Sequence, residues 1–128
     1  MGNNPSIEVK HIYKEYRPWG SFENLLDEDY CKVKRIIVKP GQRLSYQYHH
    51  YRTEHWVIVQ GDALVTLDDE EYLFQDGAVI EIPVGMKHRV ENKFDRNLIF
   101  IETQTGSYFG EDDIVRIEDD YGRNQNEN

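Results

Sequence analysis

Short apolar runs separated by polar turn signals organise this chain. Val33 to Val38, Trp56 to Val59, Ala63 to Leu67, Tyr72 to Phe74, Val79 to Ile82 and Asn97 to Glu102 are rich in β-branched and aromatic residues, the composition of strands. Between them lie turn signals: Lys39-Pro40-Gly41, Gln60-Gly61-Asp62, Leu67-Asp68-Asp69, Gln75-Asp76-Gly77 and Ile82-Pro83-Val84-Gly85, each carrying residues that punctuate regular structure. No stretch reads convincingly as a helix. Strands at this short, even spacing predict an all-β sandwich or barrel, jelly rolls included. No fixed period recurs, which argues against a solenoid or propeller. The first ten or so residues (1–10) and the tail 124–128 are polar and are expected to be loose, leaving one domain over 11–123.

Length and composition narrow the class. At 128 residues the chain has room for one core. Its 38% apolar and 12% aromatic content is too high for a disordered chain, although mean hydropathy is −0.78. Apolar runs such as Val57-Ile58-Val59 are far shorter than the roughly 20 residues of a membrane helix. With no charged-then-apolar leader, the expectation is a cytoplasmic protein that needs no membrane. A lone cysteine, Cys31, leaves no internal disulfide and no multi-cysteine zinc site.

Net charge is −9, which argues against nucleic acid as a partner. The charge is uneven. No acid occurs from Cys31 to Thr53, where Lys32, Lys34, Arg35, Lys39, Arg43 and Arg52 lie. The acids gather at 27–29, 68–71, 111–113 and 118–120. A local positive zone in an acidic protein can attract a small anion, or it can simply be a solvated strand face.

Two windows carry the chemistry. In the first, 41–61, Gln47 and His49 point to one face of a strand because side chains alternate, and Glu54 can return to that face on the next strand. In the second, 77–92, the turn Pro83-Val84-Gly85 can aim His88 inward. Two imidazoles, a carboxylate and an amide oxygen suit a borderline divalent metal with positions left open. His11 reads as structural or surface. His50 and His55 have the wrong parity and read as outward-facing or supporting.

The spacing of these residues resembles the two-part cupin signature. Gly41, five residues, x-x-His49, four residues, Glu54, six residues and Gly61 form its first half. Gly77, five residues, Pro83-x-Gly85, two residues, His88, three residues and Asn92 form its second. Only the first signature histidine departs, as Gln47. That departure, with Arg17-Pro18-Trp19-Gly20, Arg52-x-Glu54-His55-Trp56, His88-Arg89-x-Glu91-Asn92, Glu102-x-Gln104-x-Gly106 and Asp120-Tyr121-Gly122-Arg123, resembles the type II mannose-6-phosphate isomerases over about residues 16–123. The resemblance implies a single cupin domain, an all-β double-stranded β-helix or jelly-roll-type barrel. It also implies one divalent ion held by Gln47, His49, Glu54 and His88, with zinc favoured over manganese, cobalt, iron or nickel. The implied reaction interconverts mannose-6-phosphate and fructose-6-phosphate through an enediol(ate). In that family the cupin commonly follows a guanylyltransferase domain, and nothing in these residues carries that activity over.

Such a reaction needs a base as well as a metal. Glu102, late on a strand with Gln104 on its face, is the first choice, and the alternative is that it orients a ligand from outside the coordination sphere. The phosphate needs fixed positive charge and hydroxyl donors. Arg43 and Ser45, at the parity of Gln47 and His49, are expected to face the same cavity. Lys34 and Arg17 are further choices, and the resemblance adds Arg116, which otherwise reads with Arg123 as an ion-paired surface residue. Trp19 and Trp56 read as barrel packing. A non-catalytic sugar-phosphate-binding cupin and a cupin dioxygenase using non-haem iron remain as alternatives. Pairing of copies through edge strands makes a homodimer the expected assembly.

Overall fold

The computed structural model describes residues 13–122; the expected loose ends at 1–10 and 124–128, together with His11 and Arg123, lie outside the described residues. Eleven strands follow in order: β1 (Tyr13–Arg17), β2 (Gly20–Asp27), β3 (Lys32–Val38), β4 (Tyr46–Tyr48), β5 (Arg52–Gln60), β6 (Ala63–Leu67), β7 (Glu70–Phe74), β8 (Val79–Ile82), β9 (His88–Glu91), β10 (Leu98–Gly106) and β11 (Val115–Glu118). All pairings are antiparallel. One sheet has the order β1-β2-β3-β10-β5-β8 and the other β11-β4-β9-β6-β7. The expected all-β fold is present, and the crossovers between the sheets are those of a jelly roll.

Each of the six apolar runs of the sequence falls on a strand, with β6 and β8 spanning the expected residues, β5 extending further, and β10 starting one residue later than expected and running on to Gly106. The turn chemistry explains why they stop. Asp68 and Asp69 both have positive φ, 46° and 73°, the conformation that a tight two-residue hairpin such as β6–β7 demands. Pro83 to Met86 closes with Met86 N donating to Pro83 O at 3.1 Å, and Gly85 supplies φ 82° at its third position, as a type II turn requires.

The core fills the space between the sheets with Trp19, Phe22, Ile36, Val38, Trp56, Ile58, Val65, Ile80, Ile82, Val90, Leu98 and Phe100, all buried. Both tryptophans therefore pack the barrel. The alternation on β3, β5 and β10 buries every second residue. Toward one end of these strands the buried residues change from apolar to charged, and the site begins there.

Candidate functional site

Gln47 on β4 sits opposite His88 on β9, and β5 carries Glu54 from the facing sheet. Gly85 N donates to His49 O at 2.9 Å, tying the two sequence windows together. The ligating atoms of His49, Glu54 and His88 lie within 4.8 Å of one another, and all three residues are buried. His50 is exposed and His55 lies near Glu81 on the outside, outside this cluster as parity predicts.

The hydrogen bonds around the imidazoles settle what the cluster can hold. His49 Nδ1 lies 2.7 Å from Asp113 O, and His88 Nδ1 lies 3.0 Å from Met86 O. A carbonyl can only accept, so each Nδ1 is the donor, and the neutral ring presents Nε2 as a bare lone pair. Those lone pairs face a carboxylate: His49 Nε2 is 3.0 Å from Glu54 Oε2 and His88 Nε2 is 3.7 Å from Glu54 Oε1. Three acceptors turned toward one point call for a cation. Gln47 Oε1 is also buried without a hydrogen-bond partner, which adds a fourth residue with an acceptor to offer. The donor set fits a divalent ion, and the Nδ1 bonds to carbonyls are the usual way of fixing a ligating imidazole.

Electrostatics agree. Burial pushes the His88 imidazole below its usual range and keeps it neutral. Burial opposes ionisation of Glu54, but its close surroundings of His49, His88 and the Arg52 guanidinium outweigh it and hold the carboxyl well below the ordinary range. Trp56 Nε1 donates to Glu54 Oε1 at 3.0 Å, and Arg52 Nε to Oε2 at 3.3 Å. Glu102 behaves oppositely. Burial, reinforced by the negative charge of Glu54, raises it to about 7 against the pull of Lys34 and the Gln104 hydrogen bond. Gln104 Nε2 donates to Glu102 Oε2 at 2.6 Å, so the two do share a face.

One cavity contains the candidate metal-binding cluster, Glu102 and most of the expected phosphate residues: Arg17, Lys34, Ser45 and Arg116 all line it. Arg43 does not. Its guanidinium makes a two-pronged pair with Asp120 at 2.7 and 2.9 Å on the outside. The parity argument fails for Arg43 because β4 begins only at Tyr46; Arg43 forms an isolated bridge with Glu91, and the irregular chain between resets the alternation. Arg116 pairs with Gln47 across β11–β4 and lines the cavity, where the sequence alone suggested a surface ion pair.

Sequence reasoning missed Arg52, Arg89 and Glu111, which also line the cavity. Arg52 lies two residues before Glu54 on β5, so the parity used for Gln47 and His49 could have found it. Arg89 reaches Leu44 O at 2.9 Å and Glu118 at 3.0 Å. Glu111 comes from the loop 107–114, where no periodicity points anywhere. The same loop supplies Asp113, whose carbonyl meets His49 and whose carboxylate accepts from His50 N at 2.9 Å and Tyr51 N at 3.1 Å.

Comparison with known proteins matches this geometry. Residues 4–119 match the family described as mannose-6-phosphate isomerase, C-terminal. The chain is 51% identical over 110 residues to the xanthan biosynthesis protein XanB of Xanthomonas campestris pv. campestris, covering 86% of this chain and 24% of that protein. It is 44% identical over 131 residues to the alginate biosynthesis protein AlgA of Pseudomonas aeruginosa, covering 91% and 27%. The chain thus spans about a quarter of the length of these relatives. Among solved structures, the capsular polysaccharide assembling protein CapF of Staphylococcus aureus superposes with a TM-score of 0.76 at 27% identity, over 89% of this chain and 36% of that one. A cupin-superfamily sugar phosphate isomerase from Silicibacter pomeroyi shares the fold, with a TM-score of 0.65 at 18% identity over 84% of this chain and 82% of that one. With a cupin barrel, two carbonyl-oriented imidazoles around Glu54 and a family match over nearly the whole chain, this protein belongs to the mannose-6-phosphate isomerase C-terminal family.

Proposed function

We propose that the chain is a metal-dependent aldose–ketose isomerase that interconverts mannose-6-phosphate and fructose-6-phosphate. One observation carries the reading: the donor set of Gln47, His49, Glu54 and His88 shares a cation-rimmed cavity with a buried carboxyl, Glu102, poised near neutrality. A divalent ion held there, zinc by preference for this nitrogen and oxygen set, supplies Lewis-acid stabilisation of the sugar oxygen as negative charge develops. Glu102 takes the proton from the carbon next to the carbonyl and returns it to the neighbouring carbon. A group with a pKa of about 7 both accepts and releases a proton near neutral pH. Gln104 fixes the orientation of that carboxyl through its hydrogen bond. Lys34 anchors the phosphate, and Arg17, Arg116 and Ser45 line the same cavity around the sugar.

The test is metal-stripped protein incubated with fructose-6-phosphate in deuterated water, with and without added divalent ions. The expected result is metal-dependent formation of mannose-6-phosphate carrying deuterium at carbon 1 or 2. Metal-loaded protein that neither exchanges deuterium nor interconverts any hexose-6-phosphate would leave the sugar-phosphate-binding reading in its place. As to assembly, Ile101, Val57 and Val79 form an outward row across β10, β5 and β8, and the two valines are 41% and 67% exposed. This apolar row supports a homodimer; sedimentation as a 15.2 kDa monomer would remove it.

A further inference from the structure

Glu111 is the only acid on the loop 107–114 that lines the cavity, and it enters where positive charge is densest. Its Oε2 lies 3.0 Å from Lys34 Nζ and 3.6 Å from Lys32 Nζ. Both lysines are more than nine-tenths buried, and lysine in such surroundings is stable as a cation only beside an anion. Arg52, also buried, lies close enough to join them in holding the Glu111 carboxyl in its charged form, against the burial that opposes it. The side chain of Glu111 itself is half exposed. The asymmetry is informative: the cations belong to the strands β3 and β5, whereas the anion comes from a loop.

The loop is anchored at both its ends. Ser107 N donates to Tyr51 O at 3.0 Å at one end, and Asp113 is fixed by three contacts at the other. Between these anchors, residues 108–112 form an arch whose grip on the barrel includes Glu111 and the Arg52 Nη1 bond to Gly110 O at 3.3 Å.

We propose that Lys34 and Lys32, with Arg52 beside them, form an oxyanion-binding subsite for the phosphate of the substrate, and that the Glu111 carboxylate holds this subsite in the free protein until phosphate displaces it. The inference rests on the sugar-phosphate reading for the identity of the physiological ligand. Occupation by Glu111 lowers apparent anion affinity by the fraction of molecules in which the subsite is open. The carboxylate thereby spares the lysines an unpaired state between turnovers, and anion binding releases the arch.

The test is titration of the zinc-loaded full chain with inorganic phosphate by calorimetry, alongside E111Q and K34M, with amide hydrogen exchange across residues 108–112. Glu111→Gln should tighten phosphate binding by roughly tenfold, and Lys34→Met should abolish it in both backgrounds. In the unsubstituted chain, saturating phosphate should accelerate exchange in the arch. Phosphate that binds equally well or more weakly to E111Q, or that survives Lys34→Met as an ion on the metal alone would, overturns the subsite. Unchanged arch exchange under saturating phosphate overturns the displacement, and this measurement needs no variant to fold. Failure here is distinct from failure of the isomerase reading: tighter phosphate in E111Q without any hexose-phosphate turnover keeps the subsite and discards the reaction. Turnover with phosphate affinity indifferent to Glu111 does the reverse.

Discussion

β3, β5 and β10 each bury four successive inward positions, and the two ends of these strands could hardly differ more. At one end the inward residues are Ile36 and Val38, Trp56 and Ile58, Leu98 and Phe100. At the other they are Lys32 and Lys34, Arg52 and Glu54, Glu102 and Gln104. The register runs straight through the change: Phe100 faces Ile36 and Ile58, and two residues on, Glu102 faces Lys34 and Trp56. Backbone geometry, parity and depth of burial are shared. What differs is whether the side chain loses or gains by leaving water. The dry end stabilises the barrel through buried apolar area. The polar end costs free energy, because charges and amides are desolvated there, and Gln104 Oε1 is buried without a protein partner. The fold concentrates its stability at one end and its chemistry at the other.

Substitutions at the two ends should therefore fail in opposite ways. The largest effect is expected at the metal ligands. His88→Ala should lose the bound ion and reduce turnover to background while the barrel remains folded, read by metal content per chain and circular dichroism. His50→Ala, exposed, should keep full metal. A His49→Ala, His88→Ala double variant with full occupancy would break the assignment. At the dry end, Phe100→Ala should cost about 3–5 kcal/mol of stability in urea denaturation, since it empties a fully buried ring.

Glu102→Gln crosses the comparison. Turnover should fall at least roughly 100-fold, the scale of a lost general base, with metal content retained. Metal-free stability should move the other way. The folded Glu102 carboxyl sits at about 7 against 4.5 for the free group, so between these values the folded state binds the extra proton. Glu102 thus contributes fully below pH 4.5 and its contribution is lost as pH rises to 7. The variant, lacking that titration, should be more stable than its parent at pH 8, by at most about 3 kcal/mol. Melting curves at pH 5 and pH 8 check this; a parent more stable than the variant at pH 8 would mean the polar end is no burden. The smallest effect belongs to Arg43→Ala. Its pair with Asp120 is exposed on both sides, so stability should drop by no more than about 1 kcal/mol, and phosphate affinity should not change.

The strands richest in β-branched and aromatic residues were legible because burial on one face imposes composition. β1 was not, with Tyr13 and Tyr16 exposed and its residues mostly at the surface. β11 was missed for the same reason. At the site, Gln47, Glu54 and His88 were readable because a strand converts spacing into direction, and His49, one residue past β4, still follows its alternation. Arg43 shows where that rule stops: outside a continuous strand, parity carries no information about direction. Glu111 and Asp113 lie on a loop, and only three-dimensional closure brings them to the barrel. Gly106, at the end of β10, marks where that loop departs. A Cβ there would lie 2.3 Å from Tyr51 O at a φ of 145°, a close approach that spacing alone does not announce.

Asp113 has a mechanical meaning beyond the bonds it makes. Its carbonyl sets the His49 ring and its carboxylate clasps the backbone at His50 and Tyr51, so the loop is riveted at this residue to the turn between β4 and β5. Any swing of the stretch before it must pivot there, and the imidazole sits at the axle, where displacement is least. An opening of the arch would thereby be uncoupled from the placing of the His49 ring. On the proposed displacement, an anion would come and go at the arch while the His49 ring, and an ion held by it, would stay in place.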